Sequence, residues 1–486
     1  MKKIYYLLLS LATISLSGCN DWLDVSPRSQ IEGDKLFKTE EGFKQALNGV
    51  YIKLGQSSLY GEQTSMYIPE TLAQMWTIPS MNSNLAMYSL GNYDFTENST
   101  ESTISNTFKE YYNAIAQLND ILAHLKENKG GVNFEYNNDK LIEGEILGLR
   151  AFLHLDILRF WGPIPEKAIN DESTIPYVTE ITNDVSKLRS KSWNEVIAAL
   201  ENDLNESENI LKIYDPIAYA DLDSLDITNY VGQGTMPKDE WQMMRKGRFN
   251  YYAALGTKAR FYHWIGNKDL AVKYAKLVVD ENKIPLCTES TIQKSLTMYP
   301  EHLFDIENIN LLDIIKDKYA SSIAIYTQNK SNVESCYEST IHTNDIRYTN
   351  SRYWGEKKYN EIIVNTFYKF IGNDNIKSDK RIPLLRTAEM YLVLIEDLPL
   401  EEAKTYFTTY RTARGLSSSI DEPSMASDED RLDRLEKEYR KEFFGEGQTF
   451  FFYKKHNYST LTWPKTFNIP ENGYVIPKPD GMSNFE

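Results

Sequence analysis

The chain has 486 residues and a formal net charge of −16 at pH 7, with 41% hydrophobic and 25% charged residues. These proportions indicate a globular protein with an ample core and exclude a disordered chain. The negative charge argues against recognition of nucleic acid, or of an anionic lipid surface, through bulk electrostatics.

The first 18 residues have the pattern of a secretory signal, in which Lys2 and Lys3 precede an apolar run over residues 4–16. The run is too short to span a bilayer permanently, since a transmembrane helix needs about 20 apolar residues. Residues 16–19 (Leu-Ser-Gly-Cys) resemble the bacterial lipobox, whose cysteine is acylated and becomes the first mature residue. We therefore predict a lipoprotein-type signal peptide over residues 1–18 and a lipid anchor on Cys19, since several acyl chains together hold a protein on a membrane.

Residues 19–30 are polar and are predicted to form an extended tether between the lipid and the folded protein. Residues 31–486 contain no second apolar segment of spanning length, so the lipid is expected to be the only anchor. We interpret residues 31–486 as one domain.

Helical periodicity dominates this domain. Thr39 is a suitable N-cap for a helix with Glu40 and Glu41 in its first turn. Further helices are predicted over residues 102–128, 138–160, 192–210, 383–395, 400–413 and 429–444, and as a pair within residues 250–282. That pair has small residues at fixed offsets, as in tetratricopeptide-type hairpins. The predicted fold is mostly α, with tetratricopeptide-like hairpins as a scaffold and with large irregular insertions and short β-hairpins.

Two irregular stretches place aromatic residues among small polar ones. Residues 57–97 contain Trp76 and Tyr88, and residues 283–380 contain Arg347, Tyr353 and Trp354. An aromatic ring offers a flat apolar face that suits the C–H face of a sugar, and loops often carry binding sites. We expect these five residues to bind a ligand, with Trp76 and Trp354 as stacking platforms and Arg347 as a hydrogen-bond donor. The alternative is that each one packs at a junction between a loop and a helix.

The sequence shows no pattern of catalysis or metal binding. It lacks the motifs H-E-x-x-H, G-x-S-x-G and G-x-G-x-x-G and the P-loop, and its six histidines show no metal-ligand spacing. The acidic loop over residues 214–240 lacks the glycine and the closing glutamate of a calcium loop. We therefore predict no enzyme activity, no cofactor and no metal site. Cys287 and Cys336 could form a disulfide or remain two buried thiols.

Several separated segments, taken in order, resemble one family, the SusD/RagB-type outer-membrane lipoproteins. They are residues 19–27 (CNDWLDVSP), 36–43 (LFKTEEGF), 46–51 (ALNGVY), 145–156 (EILGLRAFLHLD), 160–165 (FWGPIP), 381–392 (RIPLLRTAEMYL), 411–415 (RTARG) and 474–477 (YVIP). The resemblance covers nearly the whole mature chain and implies a SusD-like fold. One segment departs from the pattern, because Gln448 stands where family members usually carry histidine and the arginine and aspartate that normally follow are absent.

The resemblance implies a surface-exposed lipoprotein of a Gram-negative outer membrane that covers a SusC-like TonB-dependent β-barrel transporter. Such a protein would capture an oligomeric nutrient, most often a glycan, and pass it inward without chemical change. The alternative within the same architecture is a peptide binder, because RagB-like relatives are associated with peptides. The substitution at Gln448 weakens any transfer of ligand identity from the family.

Overall fold

The structure is a computed structural model that describes residues 35–182, 184, 188–225, 239–349, 352–416 and 425–479. The predicted signal peptide, Cys19, the tether and residues 226–238 of the acidic loop lie outside these residues. The predictions made for them therefore stay predictions.

The described residues are mostly helical. The helices are α1 Glu40–Leu54, α2 Ile68–Leu72, α3 Leu85–Gly91, α4 Asn98–Glu127, α5 Asn138–Trp161, α6 Trp193–Tyr214, α7 Glu240–Met243, α8 Tyr251–Trp264, α9 Lys268–Glu281, α10 Glu289–Ile292, α11 Leu311–Tyr319, α12 Lys330–Cys336, α13 Thr387–Asp397, α14 Leu400–Ala413, α15 Asp428–Glu442 and α16 Gln448–Lys455. None of the helices among the described residues combines the length and the apolar character needed to cross a membrane.

The N-cap predicted at Thr39 is confirmed, and two further caps explain where other helices begin and end. The side chain of Thr39 accepts a hydrogen bond from the backbone N–H of Gly42 at 3.1 Å and begins α1. Ser192 and Glu195 form the reciprocal capping box that begins α6. Asn128, in the left-handed conformation, follows the last residue of α4. These caps satisfy backbone groups that a helix end would otherwise leave without partners.

The predicted tetratricopeptide-like scaffold is present as helical hairpins. Helix α5 packs on α6, α8 on α9, α9 on α13 and α13 on α14. In the α8–α9 hairpin the rings of Tyr262 and Tyr274 stack with centroids 5.6 Å apart. The turn between the two helices contains Gly266 at φ +77°, a backbone conformation that favours glycine. The predicted mostly α fold is therefore correct.

Within the part of the chain that the structure describes, the strands form three antiparallel two-stranded sheets. They are β1 His302–Glu307 with β4 Arg381–Arg386, β2 Trp354–Tyr359 with β3 Ile362–Phe367, and β5 Thr460–Leu461 with β6 Phe467–Asn468. The prediction of a helix from residue 383 is wrong for its first four residues, because they belong to β4, in which Pro383 lies opposite Asp305 of β1. Helix α13 begins only at Thr387.

A network of buried charges joins the C-terminal helices to these strands. Glu442 on α15 contacts three guanidinium groups, those of Arg347, Arg386 and Arg414, at 3.0, 2.6 and 2.8 Å. All four side chains are at most 1% exposed. The carboxylate loses solvation by burial, but the three arginines hold its pKa well below the usual range, so it stays ionised. The network fixes the turn at residues 345–349 against α15.

Two glycines inside helices provide a matched test of the packing. A Cβ atom at Gly148 on α5 would lie 1.9 Å from Cε1 of Phe249, whereas one at Gly49 on α1 would meet nothing within 4 Å. We expect Gly148→Ala to lower the free energy of unfolding by about 1–3 kcal/mol through overpacking. Gly49→Ala should raise it by roughly 0.5–1 kcal/mol through helix propensity. Urea denaturation of both variants measures the difference, and equal effects would contradict the packing of α5 on Phe249.

Candidate functional site

A cleft of about 430 Å³ lies between α12, the turn that follows it and the β2–β3 hairpin. Its size is within the range of small-molecule and cofactor sites. Its lining residues are Lys330, Val333, Ser339, Thr343, Tyr348, Thr349, Trp354, Gly355, Glu356 and Asn365.

Local geometry holds the two sides of the cleft in place. Asn360 and Glu361, at φ +46° and +69°, form the two-residue turn between β2 and β3. Positive φ at both central residues matches the twist of a hairpin. The amide of Asn365 on β3 donates to the carbonyl of Gln328 at 3.1 Å, and Asn329, the next residue, is the N-cap of α12. The hairpin is thereby tied to the start of the helix that forms the opposite wall.

Tyr348 is the half-buried aromatic residue of the lining. One face of its ring stacks on Tyr337, with centroids 5.3 Å apart and an interplanar angle of 17°. Tyr337 itself is completely buried, so the ring of Tyr348 has a rigid support. Burial raises the pKa of the Tyr348 hydroxyl, with a further contribution from Glu334, and the phenol therefore stays neutral and able to donate. A supported ring with a neutral hydroxyl can stack on an apolar ligand face and bind a polar group at the same time.

Trp354 also lines the cleft and is only 3% exposed. Its ring packs against Phe367 and Phe444, with centroids 4.7 and 5.1 Å away. The indole Nε1 is buried and has no hydrogen-bond acceptor among the described residues. A buried donor without a partner costs about 1–3 kcal/mol, so an acceptor supplied by water or a ligand would be stabilising.

The remaining lining is polar and balanced in charge. Lys330 and Glu356 form an ion pair at 2.9 Å between α12 and β2, and about half of each side chain is exposed. The hydrogen bond from Lys330 to Glu356 raises the pKa of the lysine. Three hydroxyl side chains, those of Ser339, Thr343 and Thr349, also line the cleft. The cleft therefore offers donors and acceptors without a net charge in its described lining.

The structure corrects the prediction that Trp76 is a stacking platform. Its side chain is 0% exposed. Its Nε1 donates to the carbonyl of Met66 at 2.7 Å, and its ring lies 6.4 Å from that of Trp354. The two tryptophans do come together as expected, but Trp76 lies behind Trp354 and has no face directed at solvent. The rings of Tyr319, Tyr326, Phe367 and Phe444 also surround it.

Arg347 and Tyr353 are also buried rather than available to a ligand. The guanidinium of Arg347 donates to Asp345, Glu438 and Glu442, so its hydrogen-bonding groups serve the internal network. The ring of Tyr353 is 0% exposed and lies beside the ammonium of Lys369. Arg347 thereby supports the turn that carries Tyr348.

Tyr88 lies on α3 and is half-buried, but it is not among the residues that line the cleft. Of the five predicted ligand-binding residues, only Trp354 borders the cleft. Tyr348 was missed although it belongs to the same aromatic and polar stretch. The signal that could have indicated Tyr348 is Tyr337, eleven residues earlier in the sequence, because two tyrosines joined by a turn can stack on each other.

A second, wider cleft of about 560 Å³ lies near the start of α1. It is lined by Glu40, Glu41, Lys44, Asn133, Glu135, Tyr136 and Asp239. Four carboxylates and one aromatic ring make it a poorer match to an uncharged ligand than the first cleft.

The two thiols are not part of either cleft. Cys287 and Cys336 are both buried and unpaired, and burial raises their pKa values to about 12 and about 11.

Comparison with known proteins identifies the class. A SusD-like profile described as "Starch-binding associating with outer membrane" matches residues 21–215, and the SusD/RagB profile matches residues 251–479. The chain therefore belongs to the SusD/RagB family. A "SusD superfamily protein" from Bacteroides thetaiotaomicron superposes with a TM-score of 0.70 at 16% identity, over 92% of this chain and 98% of that one. A "SusD-like carbohydrate binding protein" from Bacteroides vulgatus gives 0.67 at 17% identity, over 91% and 95%.

Two curated relatives come from Formosa agariphila. "SusD-like protein P25" is 27% identical over 167 residues, 33% of this chain and 30% of that protein. "SusD-like protein P38" is 26% identical over 215 residues, 43% and 37% respectively. The chain thus spans about a third of the length of these relatives.

Proposed function

We propose that this protein is a lipid-anchored protein of the bacterial cell surface that binds an oligosaccharide in the cleft between α12 and the β2–β3 hairpin. The observation that carries the proposal is the supported ring of Tyr348 in a cleft that also contains hydroxyl groups and no net charge in its described lining. The family description as starch-binding and outer-membrane-associated supports the same ligand class.

The arrangement binds by stacking and hydrogen bonding. The apolar C–H face of a sugar ring would lie on Tyr348, while Lys330, Glu356 and Asn365 contact its hydroxyl groups. Such a site would distinguish between sugars by the positions of their hydroxyl groups. A sugar that leaves a buried polar group without a hydrogen-bond partner would bind less tightly, because burying that group costs free energy. In this proposal the protein binds the sugar and does not act on it as an enzyme.

The test is a titration of the mature chain carrying Cys19→Ser with a panel of neutral and acidic oligosaccharides and mixed peptides, followed by calorimetry. Saturable binding to one sugar class is the expected result. Binding to peptides alone would replace the proposal with the peptide-binding alternative. Release of reducing ends from a labelled polysaccharide by the pure protein would contradict the non-enzymatic assignment.

Tyr348→Ala is the variant that locates the site. We expect its affinity for the oligosaccharide to fall by about tenfold or more, which corresponds to about 1.4 kcal/mol per factor of ten. Tyr219→Ala is the matched control, because this tyrosine is 60% exposed and does not line the cleft. Equal affinities of the two variants would place the ligand elsewhere.

We further propose that the protein delivers its ligand to a SusC-like TonB-dependent transporter. The support is the family membership together with the lipobox-like sequence at Cys19. Native membranes extracted in mild detergent should yield a complex with a β-barrel protein. A chain that is always recovered alone would contradict the delivery role. A chain that remains in the soluble fraction with Cys19 intact would contradict the lipid anchor.

A further inference from the structure

Three helices end at the same place, among residues that do not line the cleft between α12 and the β2–β3 hairpin. His263 lies in the last turn of α8, Glu396 and Asp397 end α13, and His456 directly follows α16. The C-terminal end of a helix carries partial negative charge and favours a cation. Two carboxylates in the last turn of α13 add to that negative potential rather than compensate it.

The side-chain atoms at this place have the spacing of a metal site. Donor atoms of His263, Glu396 and Asp397 lie within 4.8 Å of one another. Nε2 of His263 is 3.4 Å from Oε2 of Glu396. Two ligands at about 2.0–2.1 Å from a tetrahedral Zn²⁺ are separated by about 3.4 Å. The pair is therefore already at the distance that a shared zinc ion requires.

The contacts that surround His263 and Glu396 are also suited to a metal site. Nδ1 of His263 lies 2.5 Å from the Asp397 carboxylate, so that an N–H at this position leaves Nε2 for a metal. Zinc-binding histidines are commonly oriented in this way by a carboxylate. Nε2 of His456 is 3.0 Å from Oε1 of Glu396, within ion-pair distance of that carboxylate. Oε2 of Glu396, in a residue 7% exposed, accepts no hydrogen bond from the described residues.

We propose that His263 and Glu396 bind one Zn²⁺ ion or a similar borderline transition-metal ion, with Asp397 orienting His263. A mixed set of imidazole and carboxylate ligands suits zinc. A cavity of about 20 Å³ bordered by His263 and Lys455 has room for one water molecule as a further ligand. Binding releases any proton that His263 carries on Nε2, and no other bond changes.

Lys455 allows an experiment to distinguish a metal site from a cluster of ion pairs that binds no metal. Its ammonium contacts Oε1 of Glu396, and its side chain is 15% exposed. A dication bound to Glu396 would be repelled by this ammonium, so Lys455 competes with the metal. If the cluster were only an ion pair, removing Lys455 would merely leave a carboxylate unpaired.

The experiment uses untagged, metal-free mature chain carrying Cys19→Ser, titrated with Zn²⁺ by calorimetry and with Co²⁺ by visible absorption. We expect one equivalent to bind and Co²⁺ to give the d–d bands of a site with few ligands. His263→Gln should abolish binding, and Asp397→Asn should weaken it by about 10–100-fold, the usual effect of losing an orienting partner. Lys455→Gln should bind more tightly than the parent chain.

The control is His124→Gln, because His124 also lies beside a carboxylate, that of Asp120, but on the exposed surface of α4. Its metal binding should equal that of the parent chain. Absence of binding to the parent chain would overturn the proposal. So would binding that survives His263→Gln, or weaker binding by a folded Lys455→Gln variant. Circular dichroism of each variant establishes that it is folded.

Discussion

Replacing Glu442 with glutamine should lower the free energy of unfolding by about 3–5 kcal/mol at pH 7, the usual cost of breaking a buried ion pair. The neutral amide would leave Arg347, Arg386 and Arg414 with less compensating charge in a site that solvent does not reach. The side chain is nearly isosteric, so the loss measures charge rather than volume. Urea denaturation followed by circular dichroism gives the value.

The matched control is Glu401→Gln, which removes an exposed carboxylate paired with Lys404 on α14. Its effect should be below about 1 kcal/mol, as for other surface pairs. If both glutamates gave similar losses, the buried network would not be a source of stability.

The effect of Glu442→Gln should also depend on pH. The folded state holds the pKa of Glu442 below its ordinary value of 4.5, so folding is favoured where this carboxylate is ionised in the unfolded chain. The stability difference between parent and variant is therefore full above about pH 4.5 and shrinks as the pH falls below it. A difference that grows on acidification would show that the arginines do not stabilise the ionised form.

Trp76→Ala should lower the free energy of unfolding by about 3–5 kcal/mol, the cost of removing a large aromatic side chain from a core. Trp76 is 0% exposed, and its indole N–H would no longer satisfy the carbonyl of Met66. The affinity of the folded variant for the oligosaccharide should change by less than about threefold, which is under 1 kcal/mol. Denaturation and calorimetry on the same preparation separate the two effects.

Tyr348→Ala should have the opposite balance of effects on stability and affinity to Trp76→Ala. Tyr348 is half-buried and Trp76 is fully enclosed, so the first should mainly affect affinity and the second mainly stability. Loss of binding in a Trp76→Ala variant that is as stable as the parent chain would restore Trp76 as a ligand-binding residue.

The helical scaffold could be predicted because its signals are local. Thr39 as an N-cap, the capping box of Ser192 and Glu195, and the turn at Gly266 each act within a few residues of chain. The error at residues 383–386 has the opposite origin, because β4 exists only through pairing with β1 about eighty residues earlier. Periodicity cannot report a partner so distant in sequence.

The candidate site was located only in part. The residue types correctly indicated the stretch that contains Trp354. The sequence of an irregular segment does not show, however, whether an aromatic residue or an arginine in it is buried. Arg347 is enclosed because α15 places Glu438 and Glu442 against it, from 91 and 95 residues away. The proposed zinc ligands escaped notice for the same reason, since two separate helices supply them and no spacing in the sequence relates His263 to Glu396.

The sequence by itself determined the class of protein, the mostly helical fold and the positions of the main helices, because motifs, caps and periodicity act along the chain. Only the tertiary structure decided which side chains face solvent. Trp76 and Arg347 became core residues, and Tyr348 became the supported ring of a cleft, through contacts with elements far away in sequence. Burial is a property of the packed chain, and the chemistry of each side chain in this protein depends on it.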